Sequence, residues 1–363
     1  MFSSAPRASR EVLVALVFHS IAAKPRVHTF DMTLGNLSPV LSSKPLLGHA
    51  SPHSFTSRLR VPSDASPTKL IRSSSSSRSS IAADPESWPE YLKIQQNATT
   101  AIYESPRYGD IKLRLASPAQ PSLGGHYVWD SAIMMSEFIS EDADWRVEGK
   151  RVLDLGAGTA LASIVSVLCG AKEVMACDYP DSRLLESAKF NIAKNVPKGS
   201  QGRVSVRQHL WGCVDDKLAR ENENKFDVII ASGCLFFEDQ HVNIARSMAH
   251  FLKKDLDATV YIVSGFFLGR QKLETFFQVA FVEGLSVITM FERDALGETR
   301  DCYVDCPDTP EEILERGWLL VAQMGWHVAD KEDFEDEQVQ IEFKNLDNGT
   351  VKKARPKSML VRG

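Results

Sequence analysis

A chain of 363 residues, 43% hydrophobic and 25% charged, can bury one sizeable core with room left for extensions. Residues 1–84 carry ten Lys/Arg against Glu11, Asp31, Asp64 and Asp84, a surplus of +6, so the formal net charge of −5 leaves −11 on the remainder. An acidic folded portion argues against a nucleic-acid scaffold, whose phosphates it would repel, and suits a basic partner.

At the N-terminus, Arg7 and Arg10 precede a short apolar run in "REVLVALVFHSIAAK", the layout of a signal h-region or of a Ser/Arg-rich mitochondrial presequence. Glu11 weakens both readings, and the run falls far short of the ~20 apolar residues that span a bilayer, so no membrane partner is expected. "SSKPLLGHASPHSF" and "IRSSSSSRSSIAADP" are Ser/Pro-rich, low in aromatics and unable to bury enough surface to offset chain entropy. Residues 1–84 are therefore predicted to be a disordered extension: a targeting segment, or an artefact of the gene model with Met32 as a later start. The expected location is cytoplasmic, or mitochondrial if this segment is a genuine presequence.

Residues 85–127 read as a lead-in with short strands, since "IKLRLA" alternates apolar and charged side chains as a half-exposed strand does. From residue 128 a helical rhythm in "VWDSAIMMSEFIS", carried by Val128, Ile133, Met134, Phe138 and Ile139, opens a domain that runs to residue 330. "KRVLDLG" is a buried strand, "TALASIVSVLCG" a helix ending at Gly170, and "EVMACD" a second buried strand. "DSRLLESAKFNIAKNV" is a helix capped by Asp181, "RVSVRQ" a short strand and "FDVIIAS" a third strong buried strand. "HVNIARSMAHFLKK" is a helix with Lys253 and Lys254 in its last turn, opposing the dipole. "ATVYIVSGFF" is a strand, "RQKLETFFQVAFVEG" a helix, and "LSVITMFE" and "GWLLVAQMGW" the final strands. Residues 331–363 read as a polar tail. Strands alternating with helices predict an α/β fold around a mostly parallel sheet.

The six cysteines, Cys169, Cys177, Cys213, Cys234, Cys302 and Cys306, show no disulfide spacing and point to a reducing compartment. Cys302 and Cys306 stand four apart without a neighbouring His, so no zinc site is expected. The sequons at Asn97 and Asn348 matter only in a secreted chain.

The chemistry concentrates in "RVLDLGAGTA", residues 151–160. In such sheets ligands bind outside the C-terminal strand ends, commonly at the first strand-to-helix turn. Gly156 and Gly158 let the backbone approach a ligand and the following helix offers free amides, although a tight turn wants glycine for steric reasons alone. A dinucleotide fingerprint would need its third glycine where Leu161 stands. Asp154, just before the turn, would repel a pyrophosphate, whereas it suits the sulfonium and ammonium groups of S-adenosylmethionine. Asp178 ends the next strand, where a carboxylate can accept hydrogen bonds from both ribose hydroxyls. The capping role is already filled by Asp181.

Taken in order, "GGHYVWDSA", "VLDLGAGTALASIVSVLCGAKEVMACDYP", "NIAKN", "LWG" and "DVIIASGCLFF" resemble the lysine methyltransferase-like (family 16) seven-strand methyltransferases, over roughly residues 100–330. "CDYPDSRLL" brings the likeness nearest to the fungal branch once named nicotinamide N-methyltransferase, which includes protein N-terminal and lysine methyltransferases of elongation factor 1-alpha. The resemblance implies a Rossmann-like sheet of seven strands, mostly parallel with an antiparallel last strand, in a methyltransferase domain over residues 128–330. It implies that S-adenosylmethionine is held by Trp129, the turn Gly156, Ala157 and Gly158, the ribose acid Asp178, Trp211 beside the adenine, and Ser232, a set that Asp154 joins on the charge argument above. The acceptor amine would meet Tyr127, Phe236, Phe237 and Glu238, with Asp130 a second carboxylate able to orient it. No metal and no single catalytic residue is assigned.

One departure stands out. Many relatives carry Asp after the residue matching Ser232, in an Asp-x-x-aromatic pattern, and here Gly233 fills the acidic place and Phe236 the aromatic one. The third glycine of the family's common turn is Ala160. The expected function is methylation of a protein lysine or N-terminal amine, with elongation factor 1-alpha as candidate partner and the protein a monomer. The alternatives are a small-molecule amine methyltransferase of the nicotinamide kind and a cofactor-binding homologue without activity. A nucleic-acid base methyltransferase ranks last, since the Asn/Asp-Pro-Pro-aromatic tetrad is missing after "DVIIAS". His126 is read as structural.

Overall fold

Strands whose residues are apolar on both faces want a layer of helix on each side, and four stretches of this chain have that character. They are β4 (Arg151–Leu155), β5 (Glu173–Asp178), β7 (Val228–Ser232) and β8 (Thr259–Gly265). In the computed structural model they pair in parallel at the centre of one large sheet. The structure describes residues 58–62, 95, 98–116, 124, 125, 127–266, 269–302, 308, 309, 312, 313, 316–329, 341–344, 351–354, 360 and 361. Cys306, His126 and both sequon asparagines lie outside the described residues.

With β6 (Val204–Gln208), β9 (Leu285–Arg293), β10 (Thr299–Arg300) and β11 (Leu319–Trp326), the sheet order is β10-β9-β11-β8-β7-β4-β5-β6. The last long strand, β11, lies antiparallel between β8 and β9. Seven strands are those expected, and the eighth, β10, is a two-residue edge pairing with the end of β9. The helices are α1 (Asp130–Glu141), α2 (Leu161–Leu168), α3 (Ser182–Asn195), α4 (Lys217–Asn222), α5 (His241–Phe251) and α6 (Arg270–Val282).

Period-two alternation divides the interior into two cores. Val152, Val174, Ile230 and Val263 meet α1, α2 and α3 on one face. Leu153, Met175, Ile229 and Ile262 meet α5 and α6 on the other. The chain runs from β4 outward to β6 and then returns to β7 on the far side of β4, so the order reverses between β4 and β7 and a crevice opens at their C-terminal ends.

Three expectations need correction. Within residues 1–84, Arg58–Pro62 are not structureless. β1 (Leu59–Arg60) adds antiparallel to β2 (Thr100–Ser105), which pairs with β3 (Gly109–Arg114). Leu59 is buried, and Arg58 Nη1 pairs with Glu137 Oε1 at 2.5 Å. The alternating "RLRV" is itself a strand pattern, set apart from the Ser/Pro-rich runs around it. The final residues are more than a polar tail, because Ile341–Lys344 pairs antiparallel with Val351–Ala354. Lastly, α5 stops at Phe251. Lys253 N donates to Phe226 O, so the chain is already on the sheet where a last helical turn was expected. No helix among the described residues is long and apolar enough to cross a membrane.

Candidate active site

The turn after β4 floors the crevice, and its conformation explains its glycines. Gly156 and Gly158 have φ of +86° and +52°. A Cβ on Gly156 would come within 2.7 Å of Cys234 Sγ and 3.1 Å of the Trp211 ring, and one on Gly158 within 3.3 Å of Gly125 O. Any side chain would both strain the backbone and fill the space. The amides of Gly156 and Ala157 donate to Cys177 O at 2.8 and 2.9 Å, which ties the turn to β5.

β5 ends on Asp178. Its Oδ2 accepts from Gly158 N at 2.6 Å and its Oδ1 from Tyr179 N at 2.7 Å. Burial raises its pKa, while the two amides pull it down. Each oxygen keeps a lone pair for a further donor.

Above the turn lies a cavity of about 280 Å³. Gly156, Ala157, Gly158, Asp178, Trp211 and Ser232 line it, all singled out in the sequence. Tyr127, Trp129, Phe236 and Phe237 line it as well. Their rings form a connected wall: Phe236 stacks on Trp129 at 6.0 Å between centroids, Tyr127 meets Trp129 edge-on at 6.3 Å, and Phe237 lies 4.0 Å from Phe236. Trp129 Nε1 donates to Gly124 O at 2.8 Å, fixing the indole.

Three expected residues do not line this cavity. Asp154 faces the α2 side of β4, 1% exposed, and its Oδ2 accepts from Ser163 Oγ at 2.6 Å. Strand alternation sends it beneath the turn. Burial first, then the charge of Asp178, pushes its carboxyl up to about 7. Glu238 points away, with its carboxylate 2.7 Å from Lys272 Nζ. Asp130 belongs to a smaller neighbouring cavity, with Ser131 and Gly233.

Other lining residues escaped the sequence reading. Asp239, one residue past Glu238, adds a carboxylate to the lining, and Tyr179 and Leu210 line the cavity with exposed side chains. Both acids are exposed in the three-residue helical turn Glu238–Gln240, only Asp239 lines the cavity, and no periodic pattern marks the difference. His209 also lines the site. Its Nε2 lies 2.9 Å from Ser247 Oγ, and burial lowers its pKa to about 4, which keeps the ring neutral near pH 7. Gly233 has φ of +66°, and a Cβ there would sit 2.8 Å from Ser131 Oγ. An acidic side chain at this position would need both a strained backbone and a displaced Ser131.

Comparison with known proteins follows the same lines. The sequence profile of a family described as lysine methyltransferase matches residues 109–280. The chain is 32% identical over 211 residues to the protein N-terminal and lysine N-methyltransferase of Schizosaccharomyces pombe, covering 56% of this chain and 78% of that one. It is 32% identical over 243 residues to the protein of the same name from Aspergillus fumigatus, covering 64% and 88%. The namesake from Gibberella zeae is 29% identical over 226 residues, covering 58% and 82%.

Proposed function

The chain belongs to the lysine methyltransferase family, and from that premise we propose that it is an S-adenosylmethionine-dependent N-methyltransferase whose acceptor is a protein amine, a lysine side chain or an N-terminal α-amine. The observation that carries this reading is one cavity whose wall combines the glycine turn and the Asp178 carboxylate with a connected set of aromatic rings.

The residues present fit the cofactor. Gly156 and Gly158 leave space that a Cβ would fill, Asp178 retains lone pairs for ribose hydroxyls, and Trp211 adds a flat apolar face. Bound there, S-adenosylmethionine supplies a methyl group on a sulfonium, open to in-line displacement by an amine lone pair. The rest is positioning. Tyr127, Trp129, Phe236 and Phe237 exclude water around the incoming nitrogen, and desolvation lowers its pKa so that the neutral amine forms. Asp239, exposed in the same cavity wall, attracts the ammonium form and accepts a hydrogen bond that orients it. The acceptor ammonium would first give its proton to solvent, leaving a lone pair that these residues aim at the methyl group the cofactor would supply.

Elongation factor 1-alpha is the proposed target, with the cytoplasm as compartment and the monomer as working form. Support for a basic protein target comes from the −11 carried after residue 84, which favours encounter with a cationic surface. Association with such a target should slow as salt rises, while turnover of a small neutral amine should barely respond. The deciding experiment incubates purified protein with labelled S-adenosylmethionine and cell extract, then separates protein, nucleic-acid and metabolite fractions. Label in protein is expected. Label confined to metabolites would reject the protein acceptor. Mass spectrometry of elongation factor 1-alpha from cells with and without the protein tests the target, and identical methylation in both would reject it.

A further inference from the structure

The segment "NIAKN" contributes nothing to the cavity wall, yet its side chains are among the best-bonded in the molecule. Ser187, Asn191 and Asn195 recur every four residues on one face of α3 and lie along the edge of β3 that β2 leaves unpaired. Lys112 N donates to Asn195 Oδ1 at 3.0 Å, and Asn195 Nδ2 donates to Lys112 O at 2.8 Å. Arg114 N donates to Asn191 Oδ1 at 2.6 Å, and Arg114 O accepts from Asn191 Nδ2 at 3.0 Å and from Ser187 Oγ at 3.1 Å. A side-chain ladder thus replaces the missing strand and docks the β1–β3 sheet onto the helix.

Asn191 does one thing that its neighbours do not. Its Nδ2 also donates to Thr159 O at 3.0 Å, and the residue is fully buried. Both amide hydrogens and the amide oxygen are thereby engaged. Thr159 lines the cavity immediately after Gly158, and the next residue, Ala160, has φ of +62°. A non-glycine residue in that region persists only where its surroundings over-determine it. Here the Thr159–Ala160 peptide is held at both ends: Asn191 takes the carbonyl, and Ala160 N donates to Ala157 O at 2.7 Å.

We propose that Asn191 is a positioning residue for the cofactor, coupling the docked N-terminal sheet to the glycine turn and holding Thr159 and Ala160 in the conformation that binds. This rests on the turn being the S-adenosylmethionine site. Asn195 provides the control, because it makes the same kind of bonds to β3 and none to the turn.

The test measures S-adenosylmethionine affinity by calorimetric titration, and melting temperature, in the full chain and in its Asn191→Ala and Asn195→Ala variants. Both substitutions should lower the melting temperature. Only Asn191→Ala should raise the Kd, by about tenfold or more, with Asn195→Ala within about twofold of the parent. Equal changes in Kd for the two variants, or no change for Asn191→Ala, would overturn the proposal while leaving the cofactor site standing. A parent chain that does not bind S-adenosylmethionine would overturn both. If Asn191→Ala does not fold, Asn191→Asp takes its place under the same criterion. It keeps the volume and the acceptor for Arg114 N, and titration at alkaline pH, above the pKa to which burial lifts a carboxyl, leaves it no hydrogen for Thr159 O.

Discussion

Two aspartates one strand apart show how position decides chemistry. Asp178 ends its strand at the cavity and holds Gly158 N and Tyr179 N. Asp178→Ala therefore removes the ribose acceptor and loosens the turn together. S-adenosylmethionine affinity should fall by about 1.5–3 kcal/mol for each charged hydrogen bond lost, read by calorimetry. Unchanged affinity would remove Asp178 from the site. Asp154, one residue before its own strand ends, is sealed beneath the turn with its carboxyl pushed up from 3.8 to about 7. The folded state thus binds this proton more tightly than the unfolded state does. The stabilisation is complete below the ordinary aspartate pKa and is lost as pH rises through about 7. Asp154→Asn, neutral throughout, should melt at a temperature that depends less on pH between 5 and 8, and should keep its cofactor affinity. A loss of affinity without a loss of stability would return Asp154 to the binding site.

At the scale of elements, α3 begins where the sequence says it should. Asp181 accepts from Arg183 N at 2.8 Å and from Leu184 N at 3.4 Å. Asp181→Ala should cost about 1 kcal/mol, visible as a lower melting temperature with S-adenosylmethionine affinity unchanged. A cap is legible because it is local: one side chain satisfies amides two and three residues on. The end of α5 is not local. Lys253 and Lys254 look like cations placed for a helix dipole, but Lys253 pairs with Asp227 and Asp255, and its carbonyl accepts from Trp326 Nε1 at 2.6 Å. Trp326 on β11 and Asp227 at the entry to β7 outweigh one more helical turn, and both are distant in sequence, unlike Asp255.

At the scale of the whole molecule, the small β1–β3 sheet is part of the folded unit, joined by the Arg58–Glu137 pair on one side and by the Asn191–Asn195 ladder on the other. A chain beginning at residue 56 should melt near the full-length temperature, whereas one beginning at residue 63 should melt lower. The longer deletion exposes what Leu59 covers, worth about 1.5–3 kcal/mol for a fully buried leucine. It also strips Glu137, already pushed up to about 7 by burial, of the cation that holds it down. Equal melting temperatures for the two truncations would show that β1 contributes nothing.

The order of strands and helices, the mostly parallel sheet, the glycine turn and most of the cavity wall were written in the sequence. Each follows from something short-ranged: apolar runs of strand length, a cap, a glycine pair after a strand. "DVIIASGCLFF" showed by itself that the acidic place of the family pattern is empty. It did not show that Gly233 is left-handed and 2.8 Å, at its missing Cβ, from Ser131 Oγ. The facing of individual side chains was decided only by tertiary structure. Strand alternation turned Asp154 under the turn, Lys272 drew Glu238 into an ion pair while Asp239 lines the cavity, and the hydrogen-bonding ladder gave "NIAKN" its place. These outcomes depend on partners brought together from distant parts of the chain, such as Arg114, Asn191 and Thr159 around a single buried amide, and no local pattern of residues records which partner will be there.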